Sequence, residues 1–181
     1  MIRIAKTFAF AIVLSSLLLS CDTQPSLQSY YVDNQESPNF LTVEIPPSIL
    51  SLDETSLTDS QKKAYNSIKR LSFLGYKLDE KNKANYTAEL ANVKQILSNE
   101  KYEDLIEVNS PDFGKITGKS LGNGDTVDEF VLLVSNKDTG FGVIRVLGDD
   151  MSPTDLASLV NAMQNANFDS SKFESIMNFY K

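Results

Sequence analysis

Two β-rich segments, five residues apart, constrain the fold of this chain more than any other feature. Val127–Ser135 (VDEFVLLVS) and Phe141–Leu147 (FGVIRVL) are dense in β-branched and aromatic residues. Asn136–Gly140 (NKDTG) joins them as a short loop ending in glycine, which hairpins favour. Phe130–Val134 is apolar throughout, so both of its faces are to be buried. The hairpin therefore belongs in the middle of a sheet, and the rest of the chain must supply outer strands and covering helices.

The flanking sequence supplies both. Asn39–Ile45 alternates as a strand and ends at Pro46-Pro47. Thr58-x-x-Gln61 is a capping box that opens a helix from Asp59 to about Arg70, with Ala64, Ile68 and Leu71 on one face. Leu71–Leu78 reads as a strand. Asn85–Ser98 reads as a helix whose stripe is Tyr86, Leu90, Val93 and Leu97. Tyr102–Val108 and Lys115–Leu121 read as further strands. Ser152-Pro153 combines a side-chain cap with proline in the first turn of a helix striped by Leu156, Leu159, Val160 and Met163. A last helix is expected over Ser171–Tyr180, with Ser171-x-x-Glu174 as its capping box and Phe173, Ile176, Met177 and Tyr180 inward. This order specifies an α+β domain: a mainly antiparallel sheet with a central β-hairpin and helices packed on it.

The N-terminus carries a different signal. Arg3 and Lys6 precede the apolar run Thr7–Leu19, and Leu18-Leu19-Ser20-Cys21 closes it. That run has 13 residues, against the roughly 20 a spanning helix needs. A basic start, a short apolar core and a small residue before the cut describe a secretory signal peptide. Cys21 at the first mature position resembles the bacterial lipobox, whose thiol is acylated. The expected organisation is a signal peptide over 1–20, a lipidated tether over 21–38 and one α+β domain over 39–181. Within the tether, Tyr30-Tyr31-Val32 has the alternative of docking as an edge strand. The lone cysteine excludes an intrachain disulfide.

Removing residues 1–20 leaves 161, with 15 basic side chains against 24 acidic and a net charge of −9. That balance argues against nucleic acid as a partner. The chain has no histidine, which removes Ser-His-Asp and Cys-His catalysis and the usual zinc sites. No cofactor and no metal site is expected.

Four polar residues besides Cys21 are candidates for a ligand-binding or structural site. Asp149 and Asp150 precede the Ser152-Pro153 helix; they are either a carboxylate pair for a ligand or Ca²⁺, or charges that offset the helix N-terminus. Two adjacent acids supply few oxygens for a hard cation, which favours the second reading. Asp125 lies in the turn Gly122-Asn123-Gly124-Asp125, which lacks EF-hand spacing and the lysine of a P-loop. Asp125-Thr126-Val127 resembles a short Asp-Thr-aliphatic motif glycosylated on threonine in some bacteria, a tripeptide that also arises often by chance; a turn feeding the central hairpin is the favoured reading of this stretch. Arg145 lies in the most apolar strand, sharing a face with Phe141, Val143 and Leu147. It is either a ligand anchor or the cross-strand partner of Glu129.

Two stretches carry a family resemblance. Tyr30-Tyr31-Val32-Asp33-Asn34 follows closely on the lipobox, and Thr139–Pro153 reads TGFGVIRVLGDDMSP. Together they resemble the domain-of-unknown-function 4252 family, small lipoproteins of Bacteroidetes. The resemblance implies an envelope lipoprotein and carries over no catalytic residues. The resulting expectation is a non-enzymatic binding or interaction module, held to the membrane through acylated Cys21 and facing a protein partner in the envelope. The outer membrane is favoured over the inner. The alternatives are a carboxylate-based hydrolase using Asp149, Asp150 or Asp125, or a regulator of an envelope response acting through a membrane partner.

Overall fold

The computed structural model describes residues 25–50, 57–123, 125–164 and 174–180. Along them run α1 (Leu27–Asn34), β1 (Phe40–Ile45), a 3-10 turn (Pro47–Leu50), α2 (Asp59–Ser67), β2 (Ile68–Lys77), α3 (Lys83–Leu97), β3 (Glu103–Ser110), β4 (Gly114–Asn123), β5 (Thr126–Asn136), β6 (Gly140–Met151), α4 (Pro153–Gln164) and α5 (Glu174–Tyr180). The six strands form one sheet in the order β1-β2-β6-β5-β4-β3, and every neighbouring pair is antiparallel. β6 and β5 take the third and fourth places; β1 and β3 are the edges. With helices on both faces, this is an α+β fold.

The β5–β6 turn is tighter than the sequence suggests. Asn136 pairs with Gly140, which leaves Lys137–Thr139 as the loop. Gly140 has φ +125°, and a Cβ there would sit 2.0 Å from the Tyr76 carbonyl oxygen. Only glycine fits this geometry.

One face of the sheet carries Leu74, Tyr76, Val131, Leu133, Phe141 and Val143, closed over by α1 and α3. The Tyr76 and Phe141 rings stack at 5.5 Å, and Phe40 meets Tyr76 edge-on at 4.9 Å. Rings in these orientations add attraction beyond the area they bury. On the opposite face, Ala64 and Leu159 bring α2 and α4 together over Ile68, Val127 and Met151, with Leu71, Phe130 and Val146 beside them. α5 packs on that same face nearer the β5–β6 turn. There the Tyr180 hydroxyl donates to the Phe141 carbonyl, and its ring meets Phe73 edge-on at 6.4 Å. Gly75 and Gly142 make room for it: a Cβ at Gly75 would lie 2.7 Å from that hydroxyl.

The tether expected over 21–38 is, from Leu27 to Asn34, a docked helix; neither a free tether nor an edge strand forms there. Leu27, Tyr30 and Tyr31 fall at helical spacing and bury together in the core. Ser26 and Ser29 cap the helix reciprocally, a serine doing the work of the usual Glu or Gln. The folded unit therefore begins before residue 39.

Other boundaries shift for local reasons. α2 ends at Ser67 rather than near Arg70, because the Ser67 hydroxyl turns back onto the Ala64 carbonyl and Ile68 turns extended at ψ 121°. Ala64, Ile68 and Leu71 still share one cluster, delivered by a helix–strand junction instead of one helix face. The expected boxes at Thr58/Gln61 and the Ser152 cap are present. Ser171, Phe173, Cys21 and the signal segment lie outside the described residues, as do the side chains of Val160 and Met163.

Candidate functional site

Arg145 sits on β6 beneath α1, and Glu129 lies diagonally across on β5. The guanidinium is bidentate on the carboxylate, Nε to Oε1 at 3.0 Å and Nη2 to Oε2 at 3.1 Å. Their side chains are 11% and 7% exposed. Two more groups close the network: Tyr102 donates its hydroxyl to Glu129 Oε1 at 3.0 Å, and Arg145 Nη1 donates to Gln28 of α1. Burial and the Glu129 charge push the Tyr102 phenol well above its ordinary range. With its guanidinium committed to Glu129 and Gln28, Arg145 is occupied within the fold, as buried charges usually are. The network ties α1, the turn between α3 and β3, and the sheet into one unit. Two further tyrosines fasten α1. Tyr31 donates to the Val143 carbonyl at 2.9 Å, and Tyr30 donates to Glu89 of α3 at 2.6 Å. Burial, reinforced by the Glu89 carboxylate, raises the Tyr30 phenol strongly.

The three candidate aspartates lie elsewhere. Asp149 and Asp150 belong to β6, not to the turn before α4, in a bulge where Gly148–Asp150 faces the single residue Asp128. Asp150 takes φ +49°, a left-handed conformation that aspartate tolerates better than most residues. Asp149 pairs at 3.6 Å with Lys69; both are mostly exposed, so the pair contributes about 1 kcal/mol at most. The α4 N-terminus is served instead by Ser152, whose hydroxyl accepts from the Asp155 N–H at 3.2 Å, and by Asp155 itself. Asp125 is exposed at the β4–β5 turn, and Thr126 starts β5 half-buried. Among the described residues no three His, Cys, Asp or Glu side chains converge as metal ligands, and no helix is long and apolar enough to cross a membrane.

A concave site lies where no candidate residue was expected. Between α5 and the sheet, at the end bearing the β3–β4 and β5–β6 turns, is a groove of about 480 Å³. Its walls are Phe73, Phe113, Val134, Ile144, Ile176, Met177 and Tyr180. Asp112, Asn136 and Thr139 bring polar groups to it. Phe113 is 64% exposed, Met177 47% and Ile144 37%, an unusual amount of apolar surface for one small area. Size and lining fall within the range of small-ligand pockets. Two shallower clefts, of about 160 and 200 Å³, flank α3, and none of Asp125, Asp149 and Asp150 lines any of the three. The sequence did hold a sign of the groove. Gly142, Ile144 and Val146 make the back of β6 as apolar as its front, and Phe113 is an aromatic placed in a turn.

No curated protein and no solved structure matches the chain. The sequence profile described as "Domain of unknown function (DUF4252)" matches residues 30–159, a span that runs from Tyr30 of α1 through Leu159 of α4 and includes Arg145, Glu129 and Tyr102 but not Gln28. This chain belongs to the DUF4252 family.

Proposed function

We propose that this protein is a non-catalytic binding module of the cell envelope, held by a lipid on Cys21, that accommodates an apolar group in the groove between α5 and the sheet. The observation that carries the reading is the groove's composition: about 480 Å³ walled by aromatic and aliphatic side chains, with Asp112, Asn136, Thr139 and the Tyr180 hydroxyl, itself bonded to the Phe141 carbonyl, as its polar side-chain groups. Such a site binds and orients; it offers no paired carboxylates. The hydrolase alternative needs two carboxyls roughly 5–10 Å apart in a cleft. Asp125, Asp149 and Asp150 are exposed residues of a turn and a bulge.

The test is titration with Nile red, an uncharged apolar dye whose emission rises out of water. The wild-type chain should bind it, and Phe113→Ser with Met177→Ser should weaken binding without changing the circular dichroism spectrum, since both side chains are exposed. Equal binding by wild type and the double variant would sink the groove reading. Radiolabelled palmitate incorporation tests the anchor: wild type should be labelled and Cys21→Ser should not.

A further inference from the structure

We infer that the free edge of β3 is a docking site for an extended segment of a protein partner, one that alternates aliphatic and basic residues and adds itself to the sheet. The edge adjoins the groove, since its apolar face leads through Ile116 to Val134, but the inference stands whether or not the groove takes a ligand. β3 is the last strand in the order, so among the described residues its outward row of backbone N–H and C=O groups has no strand beside it. Glu103–Asn109 is exposed at every position. Natural edge strands are blunted by charges, lysine above all, by proline, bulges, short length or a covering element, and β3 carries acids and one bulge. β3 runs for 8 residues and contains neither lysine nor proline. The opposite edge, β1, is shorter, mostly half-buried and followed by Pro46-Pro47. A bulge between Asp104 and Ile106 leaves Ile106–Ser110 as the regular stretch.

The register assigns each face of this edge its chemistry. Ile106 pairs with Gly118 and Val108 with Ile116, so both extend the apolar face that continues through Leu132 and Val134. They are 52% and 43% exposed. Asp104 and Glu107 lie on the other face, reaching Lys119 at 2.7 Å and Lys115 at 2.8 Å, yet 83% and 61% exposed. β3 holds three acids and no base; Asp104 and Glu107 share this face, and Glu103, opposite Ser120, lies on the other. An added strand would therefore meet aliphatic side chains on one face and carboxylates on the other. Cross-strand pairs of that kind are the unit of sheet stabilisation, and like charges placed opposite each other destabilise. A second copy of this chain pairing edge to edge would set the carboxylates of one β3 beside those of the other. Charge thus selects a basic, alternating strand from a different protein, recognised by strand addition.

The experiment uses the full-length chain and a fluorescent peptide of alternating valine and lysine, with affinity read by anisotropy. Three controls accompany it: the same peptide with glutamate for lysine, the same peptide N-methylated on alternate residues, and sedimentation of the chain alone. The valine–lysine peptide should bind, and the two altered peptides should not. Glu107→Lys should weaken binding about tenfold, whereas Glu44→Lys, the same charge change at the β1 edge, should leave it unchanged. Equal loss in both variants would mean attraction to an acidic surface at large and would overturn the proposal. So would undiminished binding of the N-methylated peptide, or a dimer that Ile106→Lys dissolves, which would assign the edge to a second copy.

Discussion

Arg145→Met removes a guanidinium while keeping an unbranched stem, and so measures what the Arg145–Glu129 pair contributes. Glu129 would be left 7% exposed, with the Tyr102 hydroxyl as its one remaining donor among the hydrogen bonds described above. Removing one member of a buried pair costs roughly 3–5 kcal/mol, because the other is stranded away from water. Domains are stable by about 5–15 kcal/mol, so the loss is a large fraction of the whole. With a urea slope near 2 kcal/mol/M, the midpoint should fall by roughly 1.5–2.5 M. The chain has 7 tyrosines and no tryptophan, so far-ultraviolet circular dichroism is the natural readout. The second arm is Arg145→Met with Glu129→Leu. Removing both charges should recover most of the loss, less about 1 kcal/mol for the acceptor that Tyr102 forfeits. A single variant shifted by under about 0.5 M would refute the claim that the pair fastens α1 to the sheet. A double variant no better than the single would refute the claim that the stranded charge is what costs.

Leu27→Ala should cost about 2–5 kcal/mol by urea titration, while Val32→Ala, at a side chain 51% exposed, should stay within about 0.5; equal effects would return residues 27–34 to a tether. Gly140→Ala should cost more than about 2 kcal/mol, since it meets both a φ of +125° and the Tyr76 carbonyl, and a smaller loss would mean that the turn relaxes. Burial raises the phenols of Tyr30, Tyr31, Tyr102 and Tyr180 above their unfolded value near 10. The folded state therefore holds protons that the unfolded state releases. The stabilisation they bring is complete below about pH 10 and is lost as pH rises beyond it. Absorbance at 295 nm and circular dichroism should then change together on alkaline titration; full ionisation before any unfolding would contradict the burial.

The sheet was legible because its strands are written twice, in β-branched composition and in period-2 alternation. The hairpin residues Val127–Leu147, the capping box at Thr58 and the cap at Ser152 mark themselves locally. α1 was harder to see because Leu27, Tyr30 and Tyr31 stand among Gln, Ser and Asn, and the Ser26/Ser29 box lacks the usual Glu or Gln. The Arg145–Glu129 pair was readable from strand parity alone. The fate of Asp149 and Asp150 was not, since a bulge breaks the parity by which a register is counted. The groove could not be read from sequence spacing either. It is made by Phe113 in one turn, Ile144 in mid-strand and Met177 in the last helix, which come together only once the sheet is folded.

The docking of α1 also sets the height at which the domain works. A free chain from residue 21 to residue 38 could extend to roughly 60 Å. With α1 folded from Leu27, only Asp22–Ser26 separate it from Cys21, and five residues reach at most about 18 Å. α1 begins beside Arg145 and runs toward Phe40, so its first turn lies on the side away from the turns that rim the groove. If Cys21 carries the lipid proposed above, that reach would keep α1 within about 18 Å of the bilayer. A domain so tethered would not sweep the space around it; whatever binds would have to come to the surface on which it stands.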